Sequence, residues 1–154
     1  MESKLARLNT IGFKLAGRWT RQEAGAFFEL IEYATSRNVL YAFVVDSQLM
    51  YVGKTVQPLR IRMAGYKNPG PTQSTNIRNN KNINESLAKG KRVEIFVLPD
   101  NGLLYYGGFH VNLAAGLEDS VVRELQPPWN GGQKEAVNET LQPVMNGLQR
   151  GYGS

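Results

Sequence analysis

The chain has 154 residues, of which 42% are apolar and 20% are charged, and its formal net charge is +5. This composition is typical of a single globular domain and argues against a disordered or fibrous chain. No apolar run is long enough for a transmembrane helix, the N-terminus lacks a signal-type segment, and the absence of cysteine excludes disulfides and thiolate metal sites. We therefore expect a cytoplasmic protein with no membrane partner.

The first 37 residues are predicted to form an N-terminal extension with one strand and one helix. The segment from Phe13 to Trp19 has an extended pattern. Thr20 is a suitable N-cap, because Glu23 lies three residues later and completes a capping box. Apolar residues then recur at helical spacing as far as Ser36, which predicts a helix over 20–36.

A β-hairpin is predicted next, and it positions two tyrosines. Its strands are Val39–Val45, which is rich in β-branched and aromatic residues, and Leu49–Val52. If residues 46–48 form a three-residue loop, Tyr41 and Tyr51 project from the same face of the sheet. A two-residue loop would separate them, because a shift of one residue reverses the face of every side chain.

The order of the remaining elements predicts the fold class. Pro58 suits the first turn of a helix in which Leu59, Met63 and Tyr66 share one face. The elements predicted after it are an asparagine-rich helix at 74–89, a strand at 92–98, a loop at 100–108, a helix at 114–126 and a further helix at 133–141. We expect one α/β domain of the α+β type, with a small, mostly antiparallel, three-stranded sheet flanked by helices, a core at 38–131 and a tail at 132–154.

Half of the basic residues lie in the central quarter of the chain. Between Lys54 and Arg92 there are nine lysines and arginines but only one acid, Glu85. Positive charge of this density attracts polyanions, because each phosphate contact releases a condensed counterion. The segment is therefore either a nucleic-acid-binding surface or a solvated basic face without a partner.

One acid interrupts the apolar face of the helix predicted at 114–126. At 100° per residue, Ala114, Leu117, Val121 and Leu125 form an apolar stripe, and Glu118 falls inside it. A carboxylate in this position costs several kcal/mol unless it is paired or binds a cation. Glu118 is therefore either the partner of a basic residue of the central segment or a metal ligand.

Five elements in sequence order resemble motifs of the GIY-YIG nuclease superfamily, over about residues 38–130. In the first motif, residues 39–41, the chain has Val-Leu where the family has Gly-Ile. In the third motif, Arg60 and Arg62 are both candidates for the position of the family's arginine. The four-residue step from Arg62 to Tyr66 favours Arg62. The five elements are Val39-Leu40-Tyr41, Tyr51-Val52-Gly53-Lys54, Leu59-Arg60-Ile61-Arg62-Met63 with Tyr66, Glu118 and Asn130.

The resemblance implies a site that hydrolyses phosphodiesters. Tyr41 and Tyr51 would line it, with Tyr41 as the candidate base for the attacking water. Because a phenol has a reference pKa near 10, a nearby cation is needed to favour the phenolate, and Lys54 is the candidate. Arg62 would bind two phosphate oxygens through its planar fork, with Tyr66 hydrogen-bonded into the same site. The structural alternatives are core aromatic residues and a surface cation.

The resemblance also implies a metal ion and two structural residues. Glu118 would be the acidic ligand of Mg²⁺, for which Mn²⁺ is a possible substitute, and the ion would stabilise the leaving 3′-oxygen. Asn130 is expected to hold the end of its helix or to orient Glu118, and Gly53 to end its strand. His110 is a candidate second base, but we expect no catalytic role for it, because it is predicted to lie in a loop with no acidic neighbour.

Side chains of the central segment are candidates for DNA contacts beyond the scissile phosphate. Asparagine pairs with adenine, and arginine or lysine pairs with guanine or phosphate. The alternative is a polar solvated helix. The candidates are Arg60, Lys67, Thr75, Asn76, Arg78, Asn79 and Lys81.

We therefore predict a metal-dependent endonuclease that cleaves double-stranded DNA as a homodimer, most similar to type II restriction enzymes. The alternatives are a repair, mobile-element or phage nuclease targeted by a partner, and a nucleic-acid-binding module without activity. The prediction requires Tyr41, Tyr51, Arg62 and Glu118 to meet around one pocket.

Overall fold

Five antiparallel strands form the central sheet of the protein. The structure is a computed structural model that describes residues 2–100 and 102–131. Within these residues the strands lie side by side in the order β2-β1-β5-β3-β4, and every neighbouring pair is antiparallel. Because β4 is last in this order, it is an edge strand. In chain order they are β1 (Lys14–Gln22), β2 (Gly25–Leu30), β3 (Val39–Val45), β4 (Gln48–Thr55) and β5 (Val93–Leu98).

Helices cover both faces of this sheet. They are α1 (Lys4–Thr10), α2 (Leu59–Lys67), α3 (Ser74–Ala88) and α4 (Leu113–Leu125). On one face, α2 and α3 pack against Tyr41 and Phe43 of β3. On the other face, α1 and α4 pack against Leu40 and Val44. Successive residues of a strand point to opposite faces, so β3 contributes alternately to two separate cores.

The N-terminal segment differs from the prediction. The predicted helix over 20–36 is wrong, because β1 continues to Gln22 and β2 follows after a short turn. Gly25 opens β2 with a φ of +119°, a backbone conformation that a helix does not contain. β1 pairs with both β2 and β5, so the sheet has five strands rather than three. The structure of this segment is determined by pairing with a strand that is distant in the sequence, and helical spacing does not reveal such pairing.

The hairpin of β3 and β4 reaches the expected arrangement by a different route. Its loop has two residues, Asp46 and Ser47, both with positive φ as a type I′ turn requires. The pairing shifts between Phe43 and Val44, and this bulge leaves Met50 as an extra residue of β4. A tight turn and a bulge together restore the register that the three-residue loop predicted.

The rest of the chain agrees with the predicted class, a mixed α+β fold with an antiparallel sheet flanked by helices. α3, β5 and α4 begin and end within two residues of their predicted limits, and α2 begins directly after Pro58, as expected. The predicted loop at 100–108 is wrong in part, because it contains β6 (Tyr105–Tyr106), which pairs with β7 (Phe109–His110) in a small separate hairpin. The predicted helix at 133–141 and the tail lie outside the described residues. None of the helices in the described part of the chain has the length and apolarity to span a bilayer.

Candidate active site

Two phenols and a guanidinium form a hydrogen-bonded network between β3 and α2. The hydroxyl oxygens of Tyr41 and Tyr66 are 2.6 Å apart, and Arg62 Nη2 donates to the hydroxyl of Tyr66 at 2.9 Å. Arg62 and Tyr66 are four residues apart on α2, which puts them on one helix face, and the guanidinium carbon lies 4.2 Å from the centre of the Tyr66 ring. Tyr41 and Tyr66 are only 1% and 0% exposed. The network therefore has fixed geometry.

Tyr51 and Gly53 of β4 lie next to this network. The ring of Tyr51 lies 6.4 Å from that of Tyr41 and 6.3 Å from that of Tyr66, measured between centroids. Gly53 is the pairing partner of Tyr41, and a Cβ on Gly53 would lie 2.7 Å from the Tyr41 hydroxyl oxygen and 2.9 Å from Tyr51 Cε2. The prediction that Gly53 ends its strand is wrong, because β4 continues to Thr55. Gly53 is required instead because the Tyr41 hydroxyl occupies the place of its missing side chain.

The environment of Tyr41 and Tyr66 keeps these two phenols protonated at neutral pH. Burial raises the pKa of Tyr41 well above its ordinary value, and neighbouring Tyr51 raises it further, whereas Arg62 lowers it. Burial likewise raises the pKa of Tyr66. Burial opposes the charge on Arg62, but Tyr41 and Tyr66 raise its pKa, so the guanidinium stays charged. Arg62 is therefore the cation whose charge favours the phenolate form of Tyr41. The sequence analysis predicted Lys54 for this role.

Lys54 instead faces Glu118. Lys54 Nζ lies 3.5 Å from Glu118 Oε1, and their side chains are 48% and 29% exposed. This ion pair is the structural alternative that the sequence left open for Glu118. Lys54 follows Gly53 directly on the edge strand β4, and Gly53 is the residue that pairs with Tyr41. The ion pair of Lys54 and Glu118 is therefore one residue away from the strand position opposite Tyr41.

The structure therefore brings together some of the predicted residues and separates another. Tyr41, Tyr51 and Arg62 meet on one face of the sheet, in the core that α2 covers. Glu118 lies on α4, which packs on the opposite face. The contacts between Glu118 and the phenols pass around the edge of the sheet, because Glu118 pairs with Lys54 and the preceding residue, Gly53, contacts Tyr41. A single pocket shared by all four side chains stays a prediction.

Asn130 is fixed against the backbone of the same edge strand. Its side-chain oxygen accepts from the Val52 N–H at 3.0 Å, and its side-chain nitrogen donates to the Val52 carbonyl at 3.1 Å. Asn130 thus satisfies the backbone groups that an edge strand leaves unpaired. Its position just after α4 also ties the C-terminal end of that helix, which carries Glu118, to β4.

The candidates for DNA contacts on α3 divide into buried and accessible side chains. Asn76 and Asn79 are buried, and the helix turns both toward the core. The Nδ2 and Oδ1 atoms of Asn79 have no hydrogen-bond partner among the described residues. Asn76 Nδ2 donates to Gln73 Oε1 at 3.0 Å, and both asparagines lie with Ile83 on the buried side of α3.

The other candidates lie on accessible or partly covered positions. Lys81 is exposed and paired with Glu85, and Arg60 is exposed on α2. Lys67 is half-buried, with Nζ 5.3 Å from the centre of the Phe27 ring. The two remaining candidates, Thr75 and Arg78, are half-buried on α3.

Two further asparagines of α3 hold neighbouring elements in place. Asn80 Nδ2 donates to the carbonyls of Tyr66 and Lys67 at the end of α2. Asn84 Oδ1 accepts from the N–H of Ala26 in β2. Asn80 therefore supports the helix turn that carries Tyr66. The unusual number of asparagines in a predicted helix was the only sequence signal for this role.

The donor set around Glu118 suits a hard cation held largely by other ligands. The described residues contain no group of three or more histidine or acidic side chains that could form a protein cage. Mg²⁺ commonly uses one or two carboxylates and completes its shell with water and phosphate. Glu118, partly exposed at the rim of the sheet, fits the single carboxylate of such a site.

Comparison with solved structures finds similar chains, and the first described here shares the fold. A mutant of bacteriophage T4 EndoII superposes with a TM-score of 0.64 and 19% identity, over 84% of this chain and 99% of that one. The restriction endonuclease HPY188I in complex with product DNA has a TM-score of 0.49 and 15% identity, over 80% of this chain and 79% of that one. No family model and no curated protein matches the sequence.

Proposed function

We propose that the protein is an endonuclease that hydrolyses phosphodiester bonds of double-stranded DNA with Mg²⁺, through a site of the GIY-YIG type. The observation that carries this proposal is the buried network of Tyr41, Tyr66 and Arg62 beside Gly53. The fold shared with EndoII, a phage protein whose name marks it as an endonuclease, supports it.

Arg62 is suited to bind the scissile phosphate. Its guanidinium has five N–H donors, so it can hold the Tyr66 hydroxyl and phosphate oxygens at the same time. Burial of the network against α2 lowers the local dielectric and strengthens this interaction. The positive charge also opposes the negative charge that develops on the phosphate in the transition state.

Tyr41 is the proposed base for the attacking water. Its raised pKa makes the phenolate scarce at neutral pH, so ionisation depends on positive charge brought into the site. Arg62 supplies one such charge. Because Arg62 donates to Tyr66, the hydroxyl of Tyr66 is free to donate onward to the oxygen of Tyr41, and this hydrogen bond favours the phenolate.

Glu118 is the proposed ligand of Mg²⁺, from the other side of the edge strand. Bound there, the ion would supply positive charge to the phosphate oxygens and the leaving 3′-oxygen. Long side chains from helices on opposite faces of the sheet can approach one ligand beyond the edge strand. Arg62 of α2 and Glu118 of α4 can therefore contact the same phosphate and its metal ion although they lie on different faces. Lys54, now paired with Glu118, would then be released to contact phosphate.

The test is cleavage of unmethylated plasmid with and without Mg²⁺. Glu118→Gln should abolish cleavage but keep DNA binding, and Arg62→Ala should abolish cleavage and weaken binding. Asp119→Asn is the matched control, because Asp119 is the next residue of α4 and is 86% exposed. Full activity of Glu118→Gln would refute the metal site, whereas binding without any cleavage by the wild type would indicate a module without activity.

The biological use that we propose is type II restriction, with a homodimer that cuts both strands. Discrete plasmid fragments would support it. The likeness to a bacteriophage protein favours a second candidate, a phage-borne nuclease targeted by a partner. Smeared products or structure-specific nicks would support that candidate instead.

A further inference from the structure

Two hydrogen-bond donors from different helices face the same point beside Gly65 of α2. A Cβ on Gly65 would lie 3.4 Å from Arg62 Nη1 and 3.4 Å from Asn76 Nδ2. Among the described residues, these are the only atoms within 4 Å of that point, apart from the chain neighbours of Gly65 and the backbone of α2. We call this point with its two nitrogens the Gly65 cradle. Both nitrogens carry only N–H donors, so an acceptor oxygen suits the point between them.

A chain of hydrogen bonds fixes the orientation of the Asn76 amide. The Gly70 N–H donates to Gln73 Oε1 at 2.8 Å, and Asn76 Nδ2 donates to the same oxygen at 3.0 Å. Because a backbone N–H can only donate, the Gln73 atom that it contacts is the oxygen, and this oxygen in turn selects the nitrogen of Asn76. Nδ2 has two N–H groups, and the second is available to the Gly65 cradle. Asn76 is only 7% exposed, so its amide has little freedom to turn away.

Packing within the protein does not explain why residue 65 is glycine. Glycine in a helix interior is destabilising relative to alanine. Gly65 lies in the interior of α2 and does not have the positive φ that would require glycine. A Cβ contact of 3.4 Å is ordinary, whereas a Cβ on Gly53 would lie 2.7 Å from its nearest neighbour, so alanine fits at residue 65 and not at residue 53. A ligand atom that uses the space beside Gly65 accounts for the glycine.

The surroundings of the Gly65 cradle favour an anion. Gly65 and Arg62 are half-buried, so the cradle can be reached from solvent. Residues 54–92 contain nine basic residues and only one acid, Glu85. Asn76 lies in the first turn of α3, which contains no acid, so the positive end of that helix dipole is at the same place. A phosphate oxygen combines the acceptor and the negative charge that these groups bind.

We propose that the Gly65 cradle binds a non-bridging oxygen of the DNA phosphate that Arg62 contacts, with Asn76 as the second donor. The identity of this anion rests on the proposed function. Arg62 Nη2 donates to Tyr66, so Nη1 is the nitrogen directed to the phosphate. Asn76 adds a neutral donor from α3, and donors from two helices fix the orientation of the phosphate relative to Tyr41. The sequence analysis predicted contact with adenine for this asparagine.

The first test is Gly65→Ala, because the added methyl group occupies the cradle. Affinity for double-stranded DNA, measured without a divalent cation, should fall by at least about 10-fold, the loss expected for hydrogen bonds to a charged group. The salt dependence of this affinity should not change, because no charge is removed, whereas Arg62→Ala should make it less steep. The Tm should equal or exceed that of the wild type, because alanine favours the helix and its Cβ fits.

Gly116→Ala is the matched control for this test. It adds the same methyl group to α4, where no atom of the described residues lies within 4 Å of the new Cβ, and DNA affinity should be unchanged. Wild-type DNA affinity of Gly65→Ala would overturn the proposal. A lowered Tm of Gly65→Ala would also overturn it, because packing would then explain the glycine.

The second test uses inorganic phosphate and depends on neither DNA nor cleavage. In nuclear magnetic resonance spectra of isotope-labelled protein, phosphate should shift the side-chain amide signals of Asn76, which Asn76→Asp identifies by their absence. Chloride at the same ionic strength should not shift them, nor should phosphate added to Gly65→Ala. Signals that respond to neither salt, or equally to both, would overturn the proposal. A phosphate response in a protein that neither binds nor cleaves DNA would retain the cradle as a phosphate site and refute the proposed function, so the two failures are distinguishable.

Discussion

Substitution of Gly53 by alanine tests whether close packing positions the Tyr41 hydroxyl. The new Cβ would lie 2.7 Å from the hydroxyl oxygen and 2.8 Å from Cζ of Tyr41. Tyr41 has little room to move, because it is 1% exposed and its hydroxyl is 2.6 Å from that of Tyr66. The φ of Gly53 lies outside the left-handed range, so the effect of Gly53→Ala is one of space and not of backbone conformation.

The expected magnitude follows from overpacking of a filled core. Such changes cost about 1–3 kcal/mol, which for a domain of this size lowers the Tm by about 2–4 °C per kcal/mol. Because misplacement of a catalytic group by about 1 Å can reduce the rate by about 100-fold, plasmid cleavage should fall by at least that factor. Thermal unfolding and single-turnover cleavage measure the two effects on the same preparation.

Gly116→Ala is the matched control for this experiment. Gly116 is exposed on α4, and a Cβ there would meet nothing within 4 Å. Alanine is the better helix former by about 1 kcal/mol, so this variant should be at least as stable as the wild type and fully active. If Gly53→Ala unfolds at the wild-type temperature, the packing argument is wrong; if it is less stable but cleaves at the wild-type rate, the assignment of Tyr41 as the base is wrong.

Three further predictions concern residues around this site. Burial raises the pKa of Tyr41 and Tyr66, so these two phenols ionise near pH 10 only in the unfolded state. Their contribution to the free energy of unfolding in urea should be constant below about pH 9 and fall above pH 10, and this fall should be less steep in Tyr41→Phe. Asn130→Asp should lower stability by about 1–3 kcal/mol, because a carboxylate cannot donate to the Val52 carbonyl; an unchanged Tm would refute this role. Asn79→Leu should raise the Tm, because it removes a buried amide without a partner among the described residues, and should leave DNA affinity unchanged; lost affinity would restore Asn79 as a DNA contact.

Local sequence patterns were sufficient for most of the elements around the candidate site. The strand at 39–45, the helix face of Leu59, Met63 and Tyr66, and the helix at 114–126 were all predicted, because each shows a clear period within one segment. The spacing of Arg62 and Tyr66 on one helix was likewise sufficient to place them together. The acid in an apolar stripe correctly marked Glu118 as a residue that needs a partner, and Lys54 is that partner here.

Tertiary structure decided what depends on distant pairing. The segment after Thr20 has a capping box and helical spacing, yet it forms strands because β1 is inserted beside β5 and β2 pairs with β1. The asparagines of α3 look like surface residues in the sequence, but Asn76 and Asn79 are buried because α3 packs on the sheet.

The relation of Glu118 to the phenols also lay beyond the sequence. Period and spacing specify which side of its own helix or strand a residue occupies, and this was enough for Tyr41 and Arg62. Tyr51 shares the face of Tyr41 because a two-residue turn is combined with a bulge at Met50, which the sequence did not predict. Period and spacing do not specify which face of the sheet a helix covers. α4 packs opposite α2, so the carboxylate and the guanidinium can meet only around the edge of β4, an arrangement that depends on long-range packing of the whole sheet.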